Sequence, residues 1–186
     1  MKLSNEQKLL TVMLCEIHEK LEINSDVNVS LLKEAIVTGN DWAITDGFVG
    51  GFLSREVIDE EIKSFTFDVL DMYSFLAKAK EKLTKKDIET ITSATGRDAD
   101  DLLFPGFDGN NESEHSDVAE FITGPLNRFE ILKSVASKNS HSPMLEIYTR
   151  MLEQFRIVRR EIDHGGISVS QIIKVLSAKT HPDMRR

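Results

Sequence analysis

The longest amphipathic stretch of the chain decides the fold, and it runs IDEEIKSFTFDVLDMYSFLAKAKEKL over residues 58–83. Its apolar side chains recur every three or four residues, which is the spacing of one face of an α-helix. The stripe consists of Ile58, Ile62, Phe65, Val69, Met72, Leu76, Ala79 and Leu83. With Ser54 as its predicted N-cap, a stripe of about seven turns indicates a helix that organises a bundle core.

Shorter helices are predicted before this element. Ser4 and Gln7 have the spacing of a capping box and open a helix over residues 5–22. The apolar stripe of this first helix is Leu10, Leu14, Ile17 and Leu21. A second short helix begins near Val29 and ends at Gly39, which favours the left-handed conformation of a helix end. A third segment carries Trp42, Ile44, Phe48 and Phe52.

After the long helix, Thr84 is the predicted cap of a short helix, and residues 95–111 form the longest irregular stretch. Helix resumes near Glu112, is broken or kinked at Gly124-Pro125, and continues through Leu126, Phe129, Ile131 and Leu132. Ser142, with Pro143 at the first helical position, opens a second long helix that Gly165-Gly166 closes. Ser168 and Gln171 form another capping box before a last short helix.

These elements predict an all-α fold, an irregular helical bundle of about seven to eight helices with two long core helices. No repeat and no strand pattern is found, because runs such as SFTFDVL fit the helical period better than strict alternation. A chain of 186 residues fits one domain, which we place at residues 1–179. Residues 180–186 are expected to be a frayed tail.

The net charge of −8 divides unevenly along the chain. Residues 1–125 hold 12 Lys and Arg against 25 Asp and Glu, whereas residues 126–186 hold 11 against 6. The two parts can attract each other within one chain or between copies, and the acidic majority disfavours nucleic acid as a partner. No apolar run is long enough to cross a membrane, so a cytoplasmic location is expected. The single cysteine, Cys15, excludes an internal disulfide and is predicted to fill a small apolar space.

Two Glu-x-x-His pairs, Glu112 with His115 and Glu161 with His164, have the spacing found in carboxylate-bridged diiron bundles. The first pair lies in the polar stretch NNESEHSD, and the second flanks an apolar stripe instead of lying on it. We therefore predict that both pairs are solvated surface residues, and that the chain has no metal site and no cofactor.

The irregular stretch and the chain that follows it contain the candidate interaction residues. They are Phe104, Phe107, Asp108, Arg128, His141, Tyr148 and Arg150. Apolar side chains near a chain reversal either enter the core or contact another surface. The structural interpretation is that Phe107 closes one end of the bundle while Asp108 caps the next helix.

Three functional hypotheses follow. The favoured one is a non-enzymatic interaction or regulatory protein that acts as a homo-oligomer through its long helices, residues 58–83 and 145–162. The second is an enzyme that uses a carboxylate and a histidine around Asp108 and His141, with or without a metal. The third is a nucleic-acid-linked regulator that uses the basic C-terminal third, including Arg156, Arg159 and Arg160.

Several short motifs, in order from Leu3 to Ala178, are similar to those of a known family. They are LSNEQKLL (3–10), LDMY (70–73), FPGFDGNNES (104–113), LNRFEIL (126–132) and NSHSPMLEIYTRML (139–152). In these motifs the chain resembles the YfbU family of bacterial helical proteins. The resemblance implies an all-α fold in the bacterial cytosol, and it supplies no catalytic residues.

Overall fold

The computed structural model describes residues 3–25, 27–47, 59–162, 166–181 and 183. In these ranges the chain forms eight α-helices and no strand, with one isolated bridge between Phe107 and Asn139. The helices are α1 (Asn5–Lys20), α2 (Val29–Val37), α3 (Trp42–Gly47), α4 (Glu60–Lys80), α5 (Lys85–Thr95), α6 (Ser113–Thr123), α7 (Leu145–Glu161) and α8 (Val169–Ser177). Two 3₁₀ turns, Ala99–Leu102 and Glu130–Leu132, lie in the connections. The predicted all-α fold of seven to eight helices is confirmed.

The predicted helix starts at three of these helices are confirmed as capping boxes. In each, the hydroxyl of the cap accepts the backbone N–H of the third helical residue, whose side chain accepts the N–H of the cap. The pairs are Ser4 with Gln7, Thr84 with Asp87, and Ser168 with Gln171. Gly39 follows α2 with a φ of +74°, as a left-handed helix end requires.

The core forms around α4, which packs against α6, α7 and the turn Glu130–Leu132. Three side chains of its apolar stripe, Val69, Met72 and Leu76, have no solvent exposure. On α7 the side chains of Tyr148 and Leu152 are buried in the same core, and α8 packs against both α5 and α7. The two long core helices are therefore confirmed. In the described part of both helices, most of the apolar stripe packs into or against the core of the same chain.

The chain after Gly124-Pro125 differs from the prediction, because it does not continue as α-helix. Asn127 and Phe129 have left-handed φ angles of 49° and 51°, which interrupt the helical hydrogen-bond ladder. The Arg128 N–H instead donates back to the Ile122 carbonyl at 3.0 Å, and only the short 3₁₀ turn follows. The prediction of continued α-helix over Leu126–Leu132 is therefore wrong.

The second long helix begins at Leu145, later than the predicted start at Ser142-Pro143. Six predicted positions and part of the predicted tail lie outside the described residues: Phe48, Phe52, Ser54, Ile58, His164 and Gly165, together with residues 182 and 184–186 of the tail. Among the described helices, none combines the length and the apolar content that a bilayer-spanning segment needs.

Candidate functional site

Three of the predicted interaction residues form one buried aromatic cluster. Phe104, Phe107 and Tyr148 have no solvent exposure, and their ring centroids are 5.3–6.2 Å apart. The Tyr148 hydroxyl donates to the Gly106 carbonyl, which fixes the irregular stretch onto α7. Burial raises the pKa of the Tyr148 phenol, so this hydroxyl stays protonated and keeps its role as a donor. Phe107 therefore enters the core, and its closing of one end of the bundle stays a prediction.

Two further predicted residues, Asp108 and His141, lie on loops that the structure joins. The Ser140 N–H donates to the Phe107 carbonyl at 3.1 Å, and Asn139 Oδ1 accepts the N–H groups of Gly109 and His141. The pKa of Asp108 is lowered first by the Asn111 amide and the Asn110 N–H, and in smaller part by the charge of His141. Asp108 therefore stabilises its own loop, and the predicted capping of α6 by its side chain is wrong.

The remaining two predicted residues have separate structural contacts. The Arg128 guanidinium lies over the Phe67 ring at 5.4 Å. Arg150 donates to the carbonyls of Ala178 and Lys179, at 3.2 and 3.3 Å, where α8 ends. The structure thus brings together Phe104, Phe107, Asp108, His141 and Tyr148, and it places Arg128 and Arg150 elsewhere. As an interaction site, this set stays a prediction.

Glu112 has a structural role that the sequence analysis missed. It is 4% exposed, and its Oε2 accepts the Asp108 N–H at 3.0 Å. Its Oε1 accepts the N–H groups of Met144 and Leu145 at 2.6 and 2.9 Å, which caps the first turn of α7 from a distant part of the chain. This carboxylate explains why α7 begins at Leu145. Local sequence patterns cannot predict this cap, because Glu112 lies 32 residues before the N–H group that it accepts.

His115, the partner of Glu112 in the Glu-x-x-His pattern, is also not a solvated residue. Its ring stacks on Phe107 at 5.2 Å and meets the edge of Phe65 at 5.5 Å. Its Nδ1 lies 3.0 Å from the Thr66 hydroxyl. The solvated-surface prediction for Glu112 and His115 is therefore wrong. In the described part of the chain, no group of three or more His, Cys, Asp and Glu side chains is placed to hold a metal.

His115 makes stability depend on pH. Burial lowers the pKa of its imidazole below the usual value for histidine, and nearby Glu112, Glu114 and Asp59 offset this only in part. Below about pH 6.5 the unfolded chain binds a proton that the folded chain excludes, so the free energy of unfolding falls as the pH drops. We expect His115→Phe to reduce this slope between pH 7 and pH 5, measured by urea unfolding. Thr66→Val is the control, because it removes the hydrogen bond to His115 but leaves the imidazole in place, so the pH dependence of the free energy of unfolding should persist. Equal pH dependence in wild type and His115→Phe would contradict the attribution to His115.

The arginines of the nucleic-acid hypothesis line a cleft between α4 and α7 of about 280 Å³. Arg156 pairs with Asp68 at 2.8 Å, and Arg159 pairs with Asp71 at 3.5 Å while its guanidinium lies over Phe75. Because two of the three cations have carboxylate partners, this surface offers a phosphate backbone less positive charge than the sequence suggested.

Among the described residues, most of the exposed large apolar side chains lie on the outward side of α1. Six large apolar side chains there are between 51% and 66% exposed, namely Leu9, Leu10, Met13, Leu14, Ile17 and Leu21. They include the whole apolar stripe predicted for the first helix. We call these six residues the α1 face. With each side chain offering on the order of 100 Å², the face amounts to roughly 600 Å², at the upper end of the largest apolar patch on a typical monomer.

The opposite side of α1 holds the helix on the rest of the molecule. α1 packs on α2, and Cys15 of α1 is buried, as the prediction of a small apolar filler requires. Lys8 pairs with Asp41 at 3.0 Å, and Lys33 of α2 pairs with Glu19 and Glu16 of α1 at 3.2 and 3.4 Å. This inner side is mixed in polarity, and the more apolar side of the helix points to solvent.

The fold and this surface define an all-helical protein whose first helix presents an uncovered apolar face. The YfbU domain family model matches residues 1–178, and the chain belongs to this family. The resemblance inferred from the motifs is thus confirmed. Over 100 residues, 52% of this chain, it is 28% identical to the UPF0304 protein MJECS11 of Methanocaldococcus jannaschii, and the match covers 56% of that protein. The chain therefore spans little more than half the length of this relative. No solved structure matches the chain.

Proposed function

We propose that this protein is a non-enzymatic interaction protein that acts as a homo-oligomer through the α1 face. The single observation that carries the proposal is the exposure of the six apolar side chains of that face. A contiguous apolar patch at the upper end of the range found on monomers is often a functional contact surface. The described residues of the long-helix stripes pack mostly into or against the core, whereas the six side chains of the α1 face are more than half exposed, so we place the assembly surface on α1.

The size of the α1 face favours a second copy of the chain as its partner. A stable interface buries about 800 Å² on each side, with an apolar centre and a polar rim. The roughly 600 Å² of apolar side chains, together with flanking polar residues of α1, meets this size. A two-fold contact uses the same patch on both copies, so one apolar face is sufficient to build it.

Three groups suited to acid–base chemistry, Glu112, His115 and Tyr148, are engaged in structural contacts. Glu112 accepts three backbone N–H groups, His115 is held between aromatic rings, and the Tyr148 hydroxyl donates to a carbonyl. These contacts support an interaction role over catalysis.

Leu14→Glu is expected to dissociate the assembly. Each copy would lose the burial of one leucine, worth about 1.5–3 kcal/mol, and would place a carboxylate in an apolar contact. Because a two-fold interface contains the substitution twice, the dissociation constant should rise by at least about 100-fold. Sedimentation over a dilution series from micromolar to nanomolar protein measures this change.

Ile157→Glu is the matched control, because Ile157 is 54% exposed on α7 and lies outside the α1 face. It should leave the dissociation constant within about twofold of wild type, as expected for an exposed residue away from the interface. A wild-type protein that is monomeric at every concentration would overturn the proposal. So would a Leu14→Glu protein that assembles as wild type does.

A second candidate function is favoured by the joined loops of Asp108 and His141. A carboxylate and a histidine on adjacent loops are the minimum for acid–base catalysis. This alternative predicts that a metal ion or small molecule raises the melting temperature of wild type, and that Asp108→Asn removes the shift. A broad ligand library that leaves the melting temperature unchanged would exclude it.

A further inference from the structure

The charges at the two ends of α1 indicate how a second copy would lie on it. Glu6, Met13 and Lys20 are spaced by seven residues, or about two turns, so they lie on one side of the helix. All three are exposed, and this side belongs to the α1 face. The outward side of α1 therefore carries an anion in its first turn, apolar residues in the middle and a cation in its last turn.

Both charges are available to a partner. The Ser4 hydroxyl donates to the Glu6 carboxylate at 2.7 Å, and this bond, followed by a backbone N–H, lowers the pKa of Glu6 and keeps it ionised. Within the described residues, Lys20 has no ion-pair partner. Glu6 and Lys20 are 14 positions apart, which corresponds to about 21 Å along the helix.

We infer that two copies pair through antiparallel α1 helices, with the two-fold axis beside Met13 and Glu6 of each copy facing Lys20 of the other. This inference rests on the proposed function, because it specifies the geometry of the same interface. An antiparallel pair forms two opposite-charge contacts and opposes the two helix dipoles. A parallel pair in register would place Glu6 against Glu6, Lys20 against Lys20 and the dipoles side by side. The arrangement closes on itself as a dimer.

Disulfide trapping tests the direction of pairing. In a Cys15→Ala background, Glu6→Cys and Lys20→Cys proteins carrying different tags are mixed, allowed to exchange and oxidised. The antiparallel pair predicts a mixed disulfide between positions 6 and 20, because bonded cysteines require Cα atoms about 4.4–6.8 Å apart. Disulfides of 6 with 6 and of 20 with 20 would show a parallel pair and overturn the inference.

Sedimentation of the same proteins separates this inference from the proposed function. A dimer that gives no disulfide at either position would show that the copies meet through another face or another register, and it overturns the antiparallel geometry. A wild-type chain that never dimerises overturns the proposed function and the inference together. A dimer that Leu14→Glu dissociates, but that forms a disulfide between the two copies of position 6, would support the proposed function and overturn the antiparallel geometry.

Charge reversal provides a second test, in which the dissociation constant is measured on proteins that retain Cys15. Glu6→Lys should raise the dissociation constant about tenfold at low salt, and Lys20→Glu should do the same, because each creates two like-charge contacts in the dimer. The doubly reversed protein, Glu6→Lys with Lys20→Glu, should return to within about threefold of wild type. Glu146→Lys, an exposed charge reversal in the first turn of α7, is the control and should have little effect. Single reversals without effect, or a double reversal that is weaker than either single change, would contradict the pairing.

Discussion

Glu112→Gln is expected to lower the free energy of unfolding by about 3 kcal/mol, because a buried carboxylate that accepts several N–H groups loses its charge and one acceptor edge. Both carboxylate oxygens of Glu112 are engaged, one by the Asp108 N–H and the other by two N–H groups at the start of α7. An amide has one oxygen, so its NH₂ group must face at least one of these donors. Chemical denaturation of wild type and variant measures the loss.

Glu114→Gln is the matched control for this substitution. Glu114 is exposed in the first turn of the same helix, α6, so the same chemical change there should alter stability by no more than about 0.5 kcal/mol. If Glu112→Gln costs no more than Glu114→Gln, the Glu112 carboxylate does not hold the start of α7. Loss of amide protection at Met144 and Leu145 in hydrogen exchange would locate the effect at that helix start.

Gly106→Ala is expected to cost more than about 3 kcal/mol, because it combines a strained backbone with an overlap that no side-chain rotation relieves. Gly106 has a φ of +91°, and a Cβ added there would overlap the backbone carbonyl of Lys138. The two loops approach closely at this point because the bridge between Phe107 and Asn139 joins them. Separating them would also displace the Gly106 carbonyl from the Tyr148 hydroxyl.

Gly96→Ala is the control, because it introduces the backbone strain of a positive φ without an overlap between the added Cβ and a neighbouring atom. Gly96 also has a positive φ, +67°, but nothing lies within 4 Å of the position its Cβ would occupy. The free energy of unfolding of Gly96→Ala should therefore fall only by the cost of a left-handed backbone at alanine, about 1 kcal/mol. Equal losses in the two alanine variants would show that the loops can part at low cost, and would contradict the close approach at Gly106.

Much of the fold follows from local sequence patterns. The hydroxyl caps Ser4, Thr84 and Ser168 start helices where they were predicted, since a capping box satisfies helix-end donors with residues three positions away. The stripe of α4 predicted the core helix because burial selects apolar residues at the helical period. These signals are local, so one sequence is enough to detect them.

The candidate site was predicted only in part, and α1 shows why. Periodicity identified Leu10, Leu14, Ile17 and Leu21 as one apolar side of the helix. It did not indicate that the helix is held by its other side, through Cys15 and the Lys8–Asp41 ion pair. A hydrophobic stripe shows which side of a helix is apolar, whereas what covers that side depends on the positions of all the other elements.

The helical class, most helix boundaries and the family follow from the sequence alone, because capping, periodicity and short motifs act over a few residues. Three features depend on tertiary packing: Glu112 caps α7, His115 is held between aromatic rings, and the α1 face is exposed. Each of these features joins residues from distant parts of the chain. Such contacts form when packing brings whole helices together, and no local pattern along the sequence encodes which distant partner a side chain meets.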